Sequence, residues 1–121
     1  MLKEEIFSGC FICCDIVQMG NDCTIAVYGG DAPHVGSVVM ATACPRPTGE
    51  GIRVTSSVLN AVSHKDEVVA RTFAETVAKS RRCTAVCSCG IHIDNISPEQ
   101  IKLVQSSAQR LLGQLLESME D

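Results

Sequence analysis

Aromatic residues are nearly missing from this chain. It has no Trp, one Tyr and three Phe among 121 residues. Single-stranded nucleic acids are commonly held on aromatic stacking platforms, and these are not available here. An excess of positive charge is also missing. Ten Lys and Arg stand against fourteen Asp and Glu, a formal net charge of -4. Phosphate backbones call for a basic face, so no nucleic-acid partner is expected. No apolar run comes near the roughly 18 residues of a membrane span, so no membrane partner is expected either. The opening residues Met1-Leu2-Lys3-Glu4-Glu5 carry acid where a signal peptide needs a basic start and an apolar stretch. These absences predict a cytoplasmic protein.

Several familiar motifs are missing too. There is no GxGxxG, no GxxxxGK[ST] and no serine in a nucleophile elbow. Cys10-Phe11-Ile12-Cys13 has no second CxxC to complete a zinc site.

Cysteine, by contrast, is abundant: Cys10, Cys13, Cys14, Cys23, Cys44, Cys83, Cys87 and Cys89. A chain of this length buries roughly two-thirds of its unfolded surface and needs no disulfide staples. Reduced thiols packed as small hydrophobes are therefore expected. Cys83, Cys87 and Cys89 share parity, so one strand points all three toward one face, which reads as core.

The pattern of elements predicts one α+β domain over residues 1–121. The first half reads as β. Strands are expected over Ile6–Val17, Cys23–Tyr28, Val35–Cys44 and Ile52–Val58. Met19-Gly20-Asn21-Asp22 makes the first two a hairpin, and Pro45 and Pro47 stop the third. The second half changes period. Val69, Phe73 and Val77 recur every four residues and predict a helix from Lys65 to Ser80, with Ser63 as its cap and Asp66 in its acidic first turn. Cys83–Cys89 is a fifth strand. Ser97 caps a last helix, with Pro98 in its first turn and Gln100 closing a capping box. Its apolar stripe is Ile101, Val104, Ala108, Leu111, Leu112 and Leu115. The expected order is ββββαβα, with two helices on one face of a mostly antiparallel sheet.

The three histidines all lie beside breaks in this pattern. His34 follows Gly29-Gly30, a turn that lets a ligand approach backbone amides. His64 and Lys65 open the first helix, where free amide donors and a positive charge favour anions. His92 and Asp94 flank Ile93, so an extended backbone points both the same way. Arg46 is fixed between two prolines and offers a fork suited to phosphate or carboxylate. The strand ends carrying these residues are expected to meet at one edge of the sheet. Three readings follow. The cluster holds a cofactor, it forms a three-histidine centre of His34, His64 and His92 for a divalent metal, or its members are turn and cap residues.

Five segments taken in order carry a resemblance. They are Gly29-Gly30-Asp31-Ala32-Pro33-His34-Val35-Gly36, Pro45-Arg46-Pro47, Thr55-Ser56-Ser57-Val58, His64-Lys65-Asp66-Glu67, and Gly90-Ile91-His92-Ile93-Asp94-Asn95-Ile96-Ser97-Pro98-Glu99. Together they resemble the LpdD-like family, the prenylated-flavin chaperone-like domain of gallate decarboxylase systems. The resemblance implies an accessory protein that binds, holds or helps mature prenylated flavin mononucleotide for a UbiD-like decarboxylase partner. Carried over, the cofactor contacts are Gly29, Gly30, His34, Arg46, His64, Lys65, His92 and Asp94. The loop after Pro-Arg-Pro is short, only Thr48-Gly49-Glu50-Gly51. With so few aromatics, the walls around a flavin would be aliphatic, and a homodimer would supply what one chain lacks.

Overall fold

The structure is a computed structural model that describes residues 1–62 and 65–120. Eight elements follow one another: β1 (Leu2–Phe7), β2 (Cys10–Met19), β3 (Asp22–Gly30), β4 (Ser37–Pro45), β5 (Ile52–Asn60), α1 (Glu67–Arg81), β6 (Thr84–His92) and α2 (Pro98–Ser118). They form an α+β domain with one six-stranded mixed sheet in the order β1-β2-β3-β6-β4-β5. Four of its pairings are antiparallel and one, β3 with β6, is parallel.

The expected order was one strand short. Residues Ile6–Val17 do not make a single strand. The chain reverses at Ser8-Gly9, where Gly9 takes φ +77°, and Phe7 pairs with Cys10 across the turn. The charged stretch Lys3-Glu4-Glu5 hides β1 from a hydrophobic pattern. It is a strand because α2 covers it: Arg110 Nε donates to Glu4 Oε1 at 2.8 Å, and Gln114 also donates to Glu4. The β2–β3 hairpin stands where expected, with Gly20 at φ +63° in its two-residue turn.

Alternation along the strands builds the core. Ile16, Ile25, Cys87, Val39 and Val58 lie side by side across five strands. The neighbouring row is Cys14, Val27, Cys89, Ser37 and Asn60. Both helices pack on this face, α1 over β4, β5 and β6, and α2 over β1 and β2. Phe73, Val77, Leu111 and Leu115 are fully buried between them and the sheet. The Ser97 cap forms as read from the sequence: Gln100 N donates to Ser97 Oγ at 3.1 Å, and Ser97 N donates to Gln100 Oε1 at 3.0 Å. The expected cap Ser63 lies outside the described residues, and Asp66 occupies the N-cap position of α1.

All eight cysteines are free thiols. Cys83, Cys87 and Cys89 are buried as their parity implied. Burial pushes the Cys14 thiol up to about 12 and Cys23 to about 11, and raises Cys87 and Cys89 as well. These side chains are protonated core atoms rather than nucleophiles or metal ligands. Cys10 and Cys13 sit three apart on one strand, so they face opposite sides of the sheet.

Candidate functional site

The central parallel pair ends at Gly30 and His92, which are partners in register. Carboxyl ends of parallel strands are where open sheets commonly hold ligands. Here the chain wraps around the His92 carbonyl, which accepts from Asp31 N at 2.6 Å and Ala32 N at 3.3 Å. Gly30 makes this possible. It takes φ +79°, and a Cβ there would sit 2.2 Å from the His92 oxygen. Asp31 Oδ2 accepts from Asp94 N at 2.9 Å and fixes the other side of the turn.

Residues 31–36 then run back beside β6. Gly36 N donates to Cys89 O at 2.9 Å, and a Cβ on Gly90 would lie only 1.6 Å from His34 O. This close passage positions His34. Its Nδ1 donates to Ala32 O at 3.0 Å, and its Nε2 lies 3.3 Å from Asp66 Oδ2. Asp66 is buried, and its Oδ1 accepts from Ile91 N at 3.1 Å. Its Oδ2 has no hydrogen-bond donor among the described residues. One carboxylate thus joins the start of α1, the end of β6 and the His34 segment.

The residue before it serves the other histidine. Lys65 Nζ lies 3.4 Å from His92 Nδ1, and His92 Nε2 lies 3.0 Å from Asp94 Oδ1. The ammonium can only donate and the carboxylate favours a donor, so the ring carries its hydrogen on Nε2. Lys65, His92 and Asp94 form a polar chain along the rim, and about 41% of the His92 side chain is exposed.

Beside that rim opens a cavity of about 190 Å³. Ile91, Ile93 and Ile96 line it from the end of β6 and beyond, Val68 and Val69 from α1, and Ile101 and Val104 from α2. Lys65, Asp66 and Gln105 supply its polar atoms. No aromatic side chain lines it.

The structure therefore brings together Gly30, His34, Lys65, His92 and Asp94. Gly29 is adjacent within β3, packed so closely on β2 that a Cβ would meet Phe11 O at 2.2 Å. Arg46 is elsewhere. It follows β4 at the end opposite the histidines, separated by a nine-residue strand or about 30 Å. There it shares an open cleft with Arg53 and Lys79. His64 lies outside the described residues. Among the described residues, no three His, Cys, Asp or Glu side chains are grouped to hold a metal ion. His34 and His92 instead face one carboxylate each.

Sequence reasoning missed the central part of Asp66, which it read only as first-turn acid. It also missed the cavity. The cavity lies where the two helix stripes begin: Val69 in α1 and Val104 in α2 are only partly buried against the core, and Ile101 is exposed.

The fold and this strand-end site define a small α+β module, and the chain belongs to the prenylated flavin chaperone LpdD-like domain family, which it matches over residues 7–120. It is 28% identical over 98 residues to Protein LpdD of Lactiplantibacillus plantarum, covering 81% of this chain and 69% of that protein. Its fold is similar to a chain in the crystal structure of a chaperone complex for yeast 20S proteasome assembly. That match has a TM-score of 0.61 and 10% identity, and covers 98% of this chain and 92% of the other. Among the described residues, no helix is long and apolar enough to cross a membrane.

Proposed function

We propose that this chain binds and holds prenylated flavin mononucleotide as an accessory protein and passes it to a UbiD-like decarboxylase. The observation that carries this reading is the aliphatic cavity opening directly beside the Lys65–His92–Asp94 rim. A prenylated flavin nucleotide is an anion with an aliphatic part, and it needs both kinds of surface. Lys65, held beside the ring of His92, supplies positive charge and donors for the anionic part. The cavity walls suit the aliphatic part. Membership of a prenylated-flavin chaperone family points the same way.

The residues fit the group incompletely in one respect. An isoalloxazine ring favours flat walls, and one chain offers none at this cavity. A second copy of the chain would cover the open side, so the working form in this reading is a homodimer. Eight free thiols agree with a cytoplasmic setting, where cysteines stay reduced. A metal-dependent enzyme receives no comparable support, because both ring nitrogens of His92 and Nδ1 of His34 already have partners within the chain.

The test is anaerobic titration of the purified protein with prenylated flavin mononucleotide, followed by absorbance and thermal unfolding. One ligand per chain should bind. At a free concentration 100-fold above Kd the folded state should gain about 2.7 kcal/mol. Absence of both a spectral change and stabilisation would overturn the proposal. Sedimentation analysis checks the dimer, and co-elution with a UbiD-like decarboxylase checks the partner.

A further inference from the structure

The two edges of the sheet are built differently. An open strand edge invites another chain, and proteins guard it with charge, proline, a bulge or shortness. β1 combines several of these. It is six residues long, carries Lys3, Glu4 and Glu5, and slips register between Glu5 and Phe7. β5 is unguarded. Its nine residues pair with β4 without a shift, include no proline, and carry one charge, Arg53, near the start. No residue of β5 is buried, and even Val54 and Val58, which face the helices, are only partly covered.

The ladder shows which backbone groups are unpaired. Arg46 N donates to Gly51 O at 3.2 Å and Ala61 N donates to Gly36 O at 2.8 Å, one rung beyond each end of β5. Bonded rungs alternate in an antiparallel pair. Arg53, Thr55, Ser57 and Leu59 therefore bond to β4, and Ile52, Val54, Ser56, Val58 and Asn60 turn their N–H and C=O groups outward. We propose that this edge pairs antiparallel with the same edge of a second copy of the chain, about a twofold axis at Ser56. In that register the strand is complementary to itself. Ile52 meets Asn60 and Val54 meets Val58, each rung exchanging two hydrogen bonds, about ten along the seam. Thr55 meets Ser57 and Arg53 meets Leu59, so no like charges oppose.

Helix α1 fits the same axis. Arg71 Nη1 donates to Ser56 Oγ at 2.9 Å, and Ser56 Oγ donates to Glu75 Oε2 at 2.7 Å. The axis at Ser56 thus passes between Arg71 and Glu75, and the Arg71 of one copy faces the Glu75 of the other. Further out, the acidic first turn at Glu67 faces the basic last turn at Lys79. Opposite charges and antiparallel helix dipoles meet along the whole contact. Register and charge both repeat under one twofold, which selects a second copy as the occupant. The side of α1 that carries Glu67, Arg71 and Glu75 is not the side that carries Val68 and Val69, so this contact is separate from a copy that covers the cavity.

Sedimentation equilibrium of the purified chain tests the pairing. Thr55 and Ser57 are exposed and point away from the helices. Thr55→Lys with Ser57→Lys sets like charges opposite each other across the seam and should weaken the dimer at least about tenfold. Thr55→Lys with Ser57→Glu places opposite charges at the same two positions and should keep the dimer. Both variants make the same demand on the fold, so a loss confined to the double lysine reports the seam itself. An unaltered chain that stays monomeric up to about 1 mM, where even weak complexes form, would overturn the proposal. So would a dimer that the double lysine leaves equally tight, or an equal loss in both variants. The flavin titration judges the cofactor-holding function separately from all of these outcomes.

Discussion

Asp66 Oδ2 lies 3.3 Å from His34 Nε2, while the other oxygen of the same carboxylate holds the backbone of Ile91. The group ties three segments together from inside the protein. Asp66→Ala leaves Ile91 N without its acceptor and releases His34. Losing a buried bond to a charged group costs about 1.5–3 kcal/mol. We expect a fall in Tm of about 5–12 °C by calorimetry. Asp66→Asn keeps an acceptor for Ile91 and should lose less.

Two glycines should respond with opposite signs. Gly90→Ala places a Cβ 1.6 Å from His34 O, against backbone that cannot step aside without breaking the turn. It should destabilise the fold by at least about 2 kcal/mol in urea unfolding and displace His34. Gly113 lies inside α2 with nothing within 4 Å of an added Cβ. Gly113→Ala should stabilise by about 0.5–1 kcal/mol.

The rim predicts a separation between binding and stability. Lys65 and His92 stand at the surface end of the site, so their loss removes little packing. Lys65→Ala should weaken the flavin nucleotide by about 10- to 100-fold, the range for charge-assisted bonds, and His92→Ala, which removes only the ring that positions Lys65, should weaken it less. Their Tm should stay within about 2 °C of the unaltered protein, since exposed substitutions usually fall within about 0.5 kcal/mol. Arg46→Ala, at the far end of β4, should leave flavin affinity unchanged. Equilibrium titration of the three variants checks all of this.

Alkaline pH should loosen the core. Burial holds the Cys14 and Cys23 thiols at about 12 and about 11, against an ordinary value of 9.0. Between those values the unfolded chain sheds protons that the folded chain keeps. The stability from these neutral thiols is complete below pH 9 and declines as pH rises toward 11–12. Tyr28, raised to about 12 chiefly by its bond to Asp15, acts in the same direction. The urea midpoint should fall between pH 8.5 and 10.5, and the Cys14→Ala, Cys23→Ala double variant should show a shallower decline.

Much of this was legible in the chain because it rests on local rules. The Ser97-Pro98-Gln100 cap, the Gly20 turn and the parity of Cys83, Cys87 and Cys89 each follow from backbone chemistry over a few residues. β1 was not legible, because Lys3-Glu4-Glu5 looks like solvent-exposed chain until α2 supplies Arg110 and Gln114. The pairing of His92 with Lys65 was half legible, since turn residues flag both positions but only the packing of α1 on β6, with Asp66 accepting from Ile91 N, brings their segments together. Asp66 was misread for the same reason: its partners, Ile91 and His34, lie about 25 and 32 residues away. Arg46 shows the converse. A suggestive Pro-Arg-Pro setting says nothing about which end of a strand it occupies relative to another motif.

The place of β6 in the sheet has a consequence for how the protein comes into being. β1, β2 and β3 form one meander, β4 and β5 form a hairpin, and neither group pairs with the other except through β6. That strand meets β3 across roughly 60 residues of intervening chain. Contacts over such spans are slow to form, since loop closure must come first. The meander and the hairpin therefore join into one sheet only when β6 lies between them. The same event places His92 beside Gly30. Completion of the sheet and assembly of the strand-end site are therefore one step, and a chain without β6 in place has no such site.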